Sequence, residues 1–310
     1  MSSVEPLPPL PNLIIAGAPK CGTTSLFDYL VQHPQVGGSS VKETRYFIDR
    51  GYSLFKTESN YLDHGLAGYR RYFSHLDSRG LKWICEATPD YLYQQSALEN
   101  IADLPDDVTI LFMLRHPADR AYSLFNFAQN NISVVHKKMD FGALLDDIER
   151  NKESYSDRPI LRNIIHHGCY YSYLHKWKAR YGERIRIHLF EEMSANPRVF
   201  MQQLAKSLDI DPGYYETAVL EQENRTVQVR SQRMQRFYKK LRSFEWLRAM
   251  PKVNAVARMY KNLNFSESAI NKSAEDQQKL RALSVYYQED MAMLEREFLI
   301  DLSLWKRKYQ

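Results

Sequence analysis

Cysteine is scarce and long apolar runs are missing from the 310 residues of this chain. Cys21, Cys85 and Cys169 are odd in number, far apart and form no C-x-x-C pair. That pattern argues against a disulfide framework or a zinc site and favours a reducing compartment. No stretch approaches the roughly 20 apolar residues that a membrane-crossing helix needs. The opening MSSVEPLPPLP lacks the basic and apolar regions of a secretory signal. The expected setting is soluble and cytoplasmic. Neither sign of charge dominates: 42 Lys and Arg face 37 Asp and Glu, a net +5. So small an excess suits an anionic ligand and makes no case for nucleic acid as a partner.

What is present is an ordinary globular composition, 44% hydrophobic and 25% charged. After a proline-rich leader, 1–11, residues 12–17 read as a buried strand and 23–32 as a helix stopped by His33-Pro34. The apolar runs 82–89 and 108–117 have strand length, and RIRIHLFEE (184–192) alternates before a helix through NPRVFMQQLAKSL. Apolar spacing predicts one further helix over 273–298. Strands separated by helical stretches imply an α/β fold, a parallel sheet with helices on both faces, in a single domain over 12–310.

The stretch NLIIAGAPKCGTTSLFDYL (12–30) resembles a phosphate-binding loop with its lysine displaced. Gly17 and Gly22 keep the spacing of G-x-x-x-x-G-K-[ST], but Thr23 stands where the lysine belongs, and Lys20 lies inside the loop. A glycine-bounded turn from strand into helix aims backbone N–H groups at one point, where the helix dipole also favours an anion. In a nucleotide triphosphatase, the displaced lysine and a strand-end Asp would serve the γ-phosphate and magnesium. Here ILFML ends in Arg115 instead. The loop therefore suits one phosphate plus a further group, without metal. The strand-to-helix stretch RHPADRAYSLF (115–125) adds a second phosphate site, since Arg115 supplies a guanidinium fork and Ser123 a hydroxyl. Arg120, on the same helix, reads as a surface arginine.

At these residues the chain resembles sulfotransferases that use 3′-phosphoadenosine 5′-phosphosulfate (PAPS). GAPKCGTTSL is similar to their 5′-phosphosulfate loop and RHPADRAYS to their 3′-phosphate motif. VKETRYF (41–47), YLDHGLAGYRRYF (61–73), EATPDYLY (86–93), GCYYSYLHKW (168–177) and the late NRTVQVRSQRMQRF are similar to the heparan-sulfate-type branch and its bacterial relatives. The resemblance implies a P-loop-like fold and PAPS as co-substrate, with no metal. It implies nucleotide contacts from Lys20, Cys21, Gly22, Thr23, Thr24, Ser25, Arg115 and Ser123, and from Arg230 and Ser231 in a late basic loop. Lys20 would neutralise charge on the leaving phosphate. By position in the K-E-x-[HR]-[YF]-F stretch, Glu43 would be the catalytic base and Lys42 a residue close to the sulfuryl group. Arg45 stands where a histidine is frequent.

Glu86, at a strand end, is the second candidate base, or else a buried bracing acid. His166-His167 lack an acid partner spaced for metal ligation and read as a loop pair. Cys21, at a helix start, is expected to be somewhat acidic. Residues 230–265 carry ten Lys or Arg and one acid, Glu245, with apolar residues at helical spacing. They read as a basic amphipathic helix, with a lid over the acceptor cleft or a membrane-surface contact as sharper readings. The acceptor is left open: a hydroxyl of a small molecule or a glycan. Competing functions are a P-loop kinase or hydrolase, with Glu86 as the magnesium acid, and a non-catalytic anion-binding module.

Overall fold

The computed structural model describes residues 7–105, 107–221, 228–229, 265–266 and 272–309. Leu13–Gly17 (β1) forms the centre of a parallel sheet with Val36–Gly38 (β2), Trp83–Ala87 (β3), Thr109–Leu114 (β4) and Ile185–Leu189 (β5), in the order β2-β3-β1-β4-β5. Every residue of β1 and β4 is buried. This is why these strands read as unbroken apolar runs: helices cover both faces of a parallel sheet. The alternation seen in β5 belongs to an edge strand, whose first four residues are half-buried. The short β2 gave no apolar signal and was not anticipated.

From β1 the chain runs to β2 and β3 on one side and only then crosses to β4 and β5 on the other. Loops leaving the carboxyl ends of β1 and β4 therefore diverge and open a crevice between them. Pairing between β1 and β4 slips by one residue after Ile15, yet Ala18 N–H still donates to Met113 O at 2.8 Å. The loop after β1 is thus pinned to β4 at its root.

The expected helix over 273–298 is two helices, Ala274–Tyr286 and Gln288–Phe298. Tyr287 breaks them: its ring is buried and its hydroxyl donates to Ile165 O at 2.8 Å. The C-terminal segment is fastened to the start of the helix Pro117–Asn126 through buried Asp119, which meets Lys272 at 2.8 Å and Lys308 at 2.7 Å. Of the basic segment 230–265, all but Phe265 lies outside the described residues, as do residues 1–6 of the leader. The backbone flanking that segment is described: Gln228–Val229 (β6) pairs antiparallel with Phe265–Ser266 (β7). No helix among the described residues is long and apolar enough to cross a membrane.

Glu86, in β3, is fully buried and braces the segment that follows β2. Its Oε1 accepts from Thr44 N at 3.2 Å, Thr44 Oγ1 at 3.0 Å and Thr88 Oγ1 at 2.5 Å, while Oε2 has no partner. Burial pushes this carboxyl up to about 7, the hydrogen bonds countering only part of the effect. The folded state thus holds the proton more tightly than the unfolded chain does. Its stabilising contribution is complete below the ordinary value of 4.5 and is lost as pH rises through about 7. Glu86→Gln is expected to flatten the decline in melting temperature between pH 4.5 and 7. An unchanged slope would show that other groups cause it.

Candidate active site

The loop after β1 enters the helix Thr23–Val31 (α1) through Gly22, whose φ is +83°. A Cβ there would lie 2.6 Å from Phe190 and 2.8 Å from Met193, so both backbone and space require glycine. The first helical hydrogen bond is Leu26 N–H to Gly22 O, at 3.1 Å. The N–H groups of Gly22, Thr23, Thr24 and Ser25 precede it and have no acceptor among the described residues. Four donors converge where the helix dipole is positive, which is an anion site. Cys21 takes no part in it. Its amide donates to Ala18 O, and its buried thiol sits 3.7 Å from Tyr170 Oη. Burial pushes that thiol up to about 11, against the mild acidity expected at a helix start.

Lys20 places its ammonium 4.1 Å from the centroid of Phe127 and forms no ion pair among the described residues. Burial lowers its pKa to about 8, and the charge of Arg115 adds to this. Glu43 opposes the shift and Lys42 contributes to it, so the loop, the end of β4 and the segment after β2 meet around one lysine. A cation held among cations without an anion of its own is a signature of an anionic ligand site.

Arg115, just past β4, lies over the ring of Phe190 at 4.8 Å, and its Nε is buried without a partner. Tyr170 Oη donates to Arg115 O at 2.8 Å and also touches Cys21, linking the two phosphate motifs. Ser123 is half-buried one helical turn before Phe127, on the face that Lys20 approaches. Behind the loop, Ser25, Tyr29, Phe190, Met193, Ser194 and Pro197 line a cavity of about 450 Å³. Phe190 thus joins the cavity, Gly22 and Arg115. The sequence reading missed this residue, although an aromatic immediately after the alternating strand RIRIHL was the available signal.

Across from the loop, Glu43 is held on both oxygens: Lys42 Nζ reaches Oε1 at 3.1 Å and Arg45 Nη2 reaches Oε2 at 2.9 Å. Burial raises its pKa, but these two cations outweigh burial and hold it below the usual carboxylate value. The group is partly exposed, unlike Glu86, whose carboxyl is closed in by Thr44, Thr88 and the sheet. Arg120, expected on the surface, is fully buried; its Nη2 donates to Ile164 O at 2.5 Å, and Tyr93, Tyr170 and Tyr287 surround it. His167 is buried against Tyr93, their rings stacked at 3.7 Å, and is not part of the crevice chemistry. Arg230 and Ser231 lie outside the described residues.

The family model described as Sulfotransferase domain matches residues 10–292. The membrane-associated sulfotransferase kil1 of Dictyostelium discoideum is 32% identical over 164 residues, which cover 48% of this chain and 32% of that protein. The bifunctional heparan sulfate N-deacetylase/N-sulfotransferase 3 of Homo sapiens is 23% identical over 66% of this chain and 23% of its own length. The chain therefore spans about a third or less of the length of these curated relatives. Among solved structures, a sulfotransferase from Alicyclobacillus acidocaldarius has a TM-score of 0.67 at 21% identity, covering 96% of this chain and 99% of that one. That likeness concerns the fold.

Proposed function

The chain belongs to the sulfotransferase domain family, and on that premise we propose that it transfers the sulfuryl group of PAPS to a hydroxyl of a small-molecule or carbohydrate acceptor by in-line displacement. The observation that carries this reading is the meeting of two cations without ion pairs among the described residues, Lys20 and Arg115, with four free helix-terminal N–H groups, next to a cavity that Ser25 and Phe190 line. The two cations come from two strand ends, the loop after β1 and the residue after β4, as a nucleotide with a phosphate at each end would use.

Bound there, PAPS would supply sulfur: the acceptor oxygen bonds to it as the bond to the 5′-phosphate oxygen breaks, releasing 3′-phosphoadenosine 5′-phosphate. In this assignment the N–H groups of Gly22, Thr23 and Thr24 hold the 5′-phosphate, and Arg115 with Ser123 holds the 3′-phosphate. Ser25 and Phe190 border the nucleoside. Lys20 offsets the negative charge that gathers on the leaving phosphate. Glu43 takes the acceptor proton, and Lys42 and Arg45 keep that carboxylate ionised and aimed. Positioning and charge compensation carry such a reaction, as they do phosphoryl transfer.

The bisphosphate product should raise the melting temperature far more than AMP or ATP does, because a ligand that binds only the native state stabilises it. Arg115→Ala should cut the advantage of the bisphosphate over AMP by about 2 kcal/mol of binding, the scale of a lost charge-assisted contact. Equal shifts for AMP and the bisphosphate in the unaltered protein would refute the second phosphate site.

A further inference from the structure

The transfer chemistry leaves one carboxylate beside the site unused. Asp90 follows Thr88 at the carboxyl end of β3 and is only 5% exposed. Its Oδ1 accepts from Tyr52 Oη at 3.1 Å, whereas Oδ2 receives no hydrogen bond from the described residues. None of the ion pairs among the described residues includes it. The turn that carries Asp90 is tied to the segment that carries Glu43, because Arg45 N–H donates to Thr88 Oγ1 at 3.1 Å while the Arg45 guanidinium binds Glu43. Half-buried rings stand around it: Tyr52 donates to it, and Tyr93 meets Tyr173 edge-on at 4.9 Å. Burial and then the charge of Glu43 push its carboxyl up to about 6, so the two acids feel each other. Although the residue is largely enclosed, Oδ2 itself is not sealed from solvent, so a donor can reach it and complete its hydrogen bonding.

We propose that Asp90 selects the acceptor: its free Oδ2 takes a hydrogen bond from a second hydroxyl or an amino group on an uncharged or cationic ring-bearing acceptor, and it turns away acceptors that place a negative charge there. The inference rests on the sulfotransferase reading of the same site. Glu43 removes the proton of the reacting hydroxyl, and Asp90 acts on specificity alone. The tyrosines give the ring of the acceptor an amphipathic wall. Glu43 is already paired with Lys42 and Arg45, so an anionic group placed at Oδ2 would meet the unpaired carboxylate of Asp90, and like-charge juxtaposition is strongly selected against at binding sites.

The test uses the full chain, PAPS and three acceptors that share one aglycone: 4-nitrophenyl β-glucoside, β-glucosaminide and β-glucuronide. The glucoside and glucosaminide should exceed the glucuronide in kcat/KM by at least about tenfold. Asp90→Asn should shrink that gap to less than about threefold, chiefly through KM for the favoured pair, while stabilisation by the bisphosphate stays as in the unaltered protein. Unaltered selectivity in Asp90→Asn, or equal use of the glucuronide from the start, would overturn the proposal. Stabilisation by the bisphosphate without transfer to any of the three acceptors would defeat the acceptor class and leave the donor reading standing. Failure of the bisphosphate to stabilise the chain beyond AMP would bring down both.

Discussion

Glu43→Gln is expected to slow transfer by about 100-fold or more, the usual worth of a positioned general base, while affinity for the bisphosphate stays nearly unchanged. Glutamine keeps the shape and can still meet Lys42 and Arg45, so the folded site should survive the change. What is lost is the ability to accept a proton. Because Lys42 and Arg45 outweigh burial and depress the pKa of Glu43, the acid limb of the rate profile should lie below the ordinary carboxylate range. A depressed pKa also makes a weaker base. In the proposed mechanism the proton would therefore move late, once the bond to sulfur has made the hydroxyl acidic. Single-turnover transfer by Glu43→Gln and Glu86→Gln, with bisphosphate binding measured alongside, decides the assignment. A near-normal Glu43→Gln beside an inactive but folded Glu86→Gln would reverse it.

Lys20→Ala should reduce turnover by about 10² to 10³, the scale for removing a group aimed at developing charge, with only a modest loss of bisphosphate binding. The helix-terminal N–H groups still hold the ground-state phosphate, whereas the ammonium matters most as the leaving group forms. With the pKa of free Lys20 near 8, its charge is present at neutral pH and is lost as pH rises through that value. In the unaltered protein kcat/KM should fall on the alkaline side of about 8, and this limb should vanish in Lys20→Ala. A variant that loses binding and turnover in equal measure would show that Lys20 is only a ligand-holding residue.

The glycine-bounded turn from β1 into α1 was legible in GAPKCGTTSL because a strand, a tight turn and a helix start are local events, set by glycine φ freedom and by which N–H groups a helix leaves free. The turn from β4 into the helix Pro117–Asn126 was legible in the same way, with Arg115 just before it and Ser123 within it. Period-2 and apolar-run signals likewise placed β1, β3, β4 and β5 within three residues at each end.

Which of two readings holds for a residue stays open in the sequence where burial decides it, because burial depends largely on residues distant in the chain. Glu86 is open between base and buried brace until Thr44, from a distant segment, closes over it beside Thr88, while Glu43, with Lys42 and Arg45 beside it in the chain, stays partly open. Arg120 has the local look of a surface residue and is enclosed by Tyr93, Tyr170 and Tyr287, which lie on three separate segments. Cys21 sits at a helix start that favours a thiolate, yet its burial against Tyr170 outweighs the dipole. Strand order decides the rest. Because all five strands run parallel, the segments that leave their carboxyl ends bring Lys20, Glu43, Asp90, Arg115 and Phe190 to one edge of the sheet, and the switch between β1 and β4 opens the crevice there. Local patterns name the chemistry each residue can perform; desolvation and pairing across that sheet edge determine which residues are free to perform it.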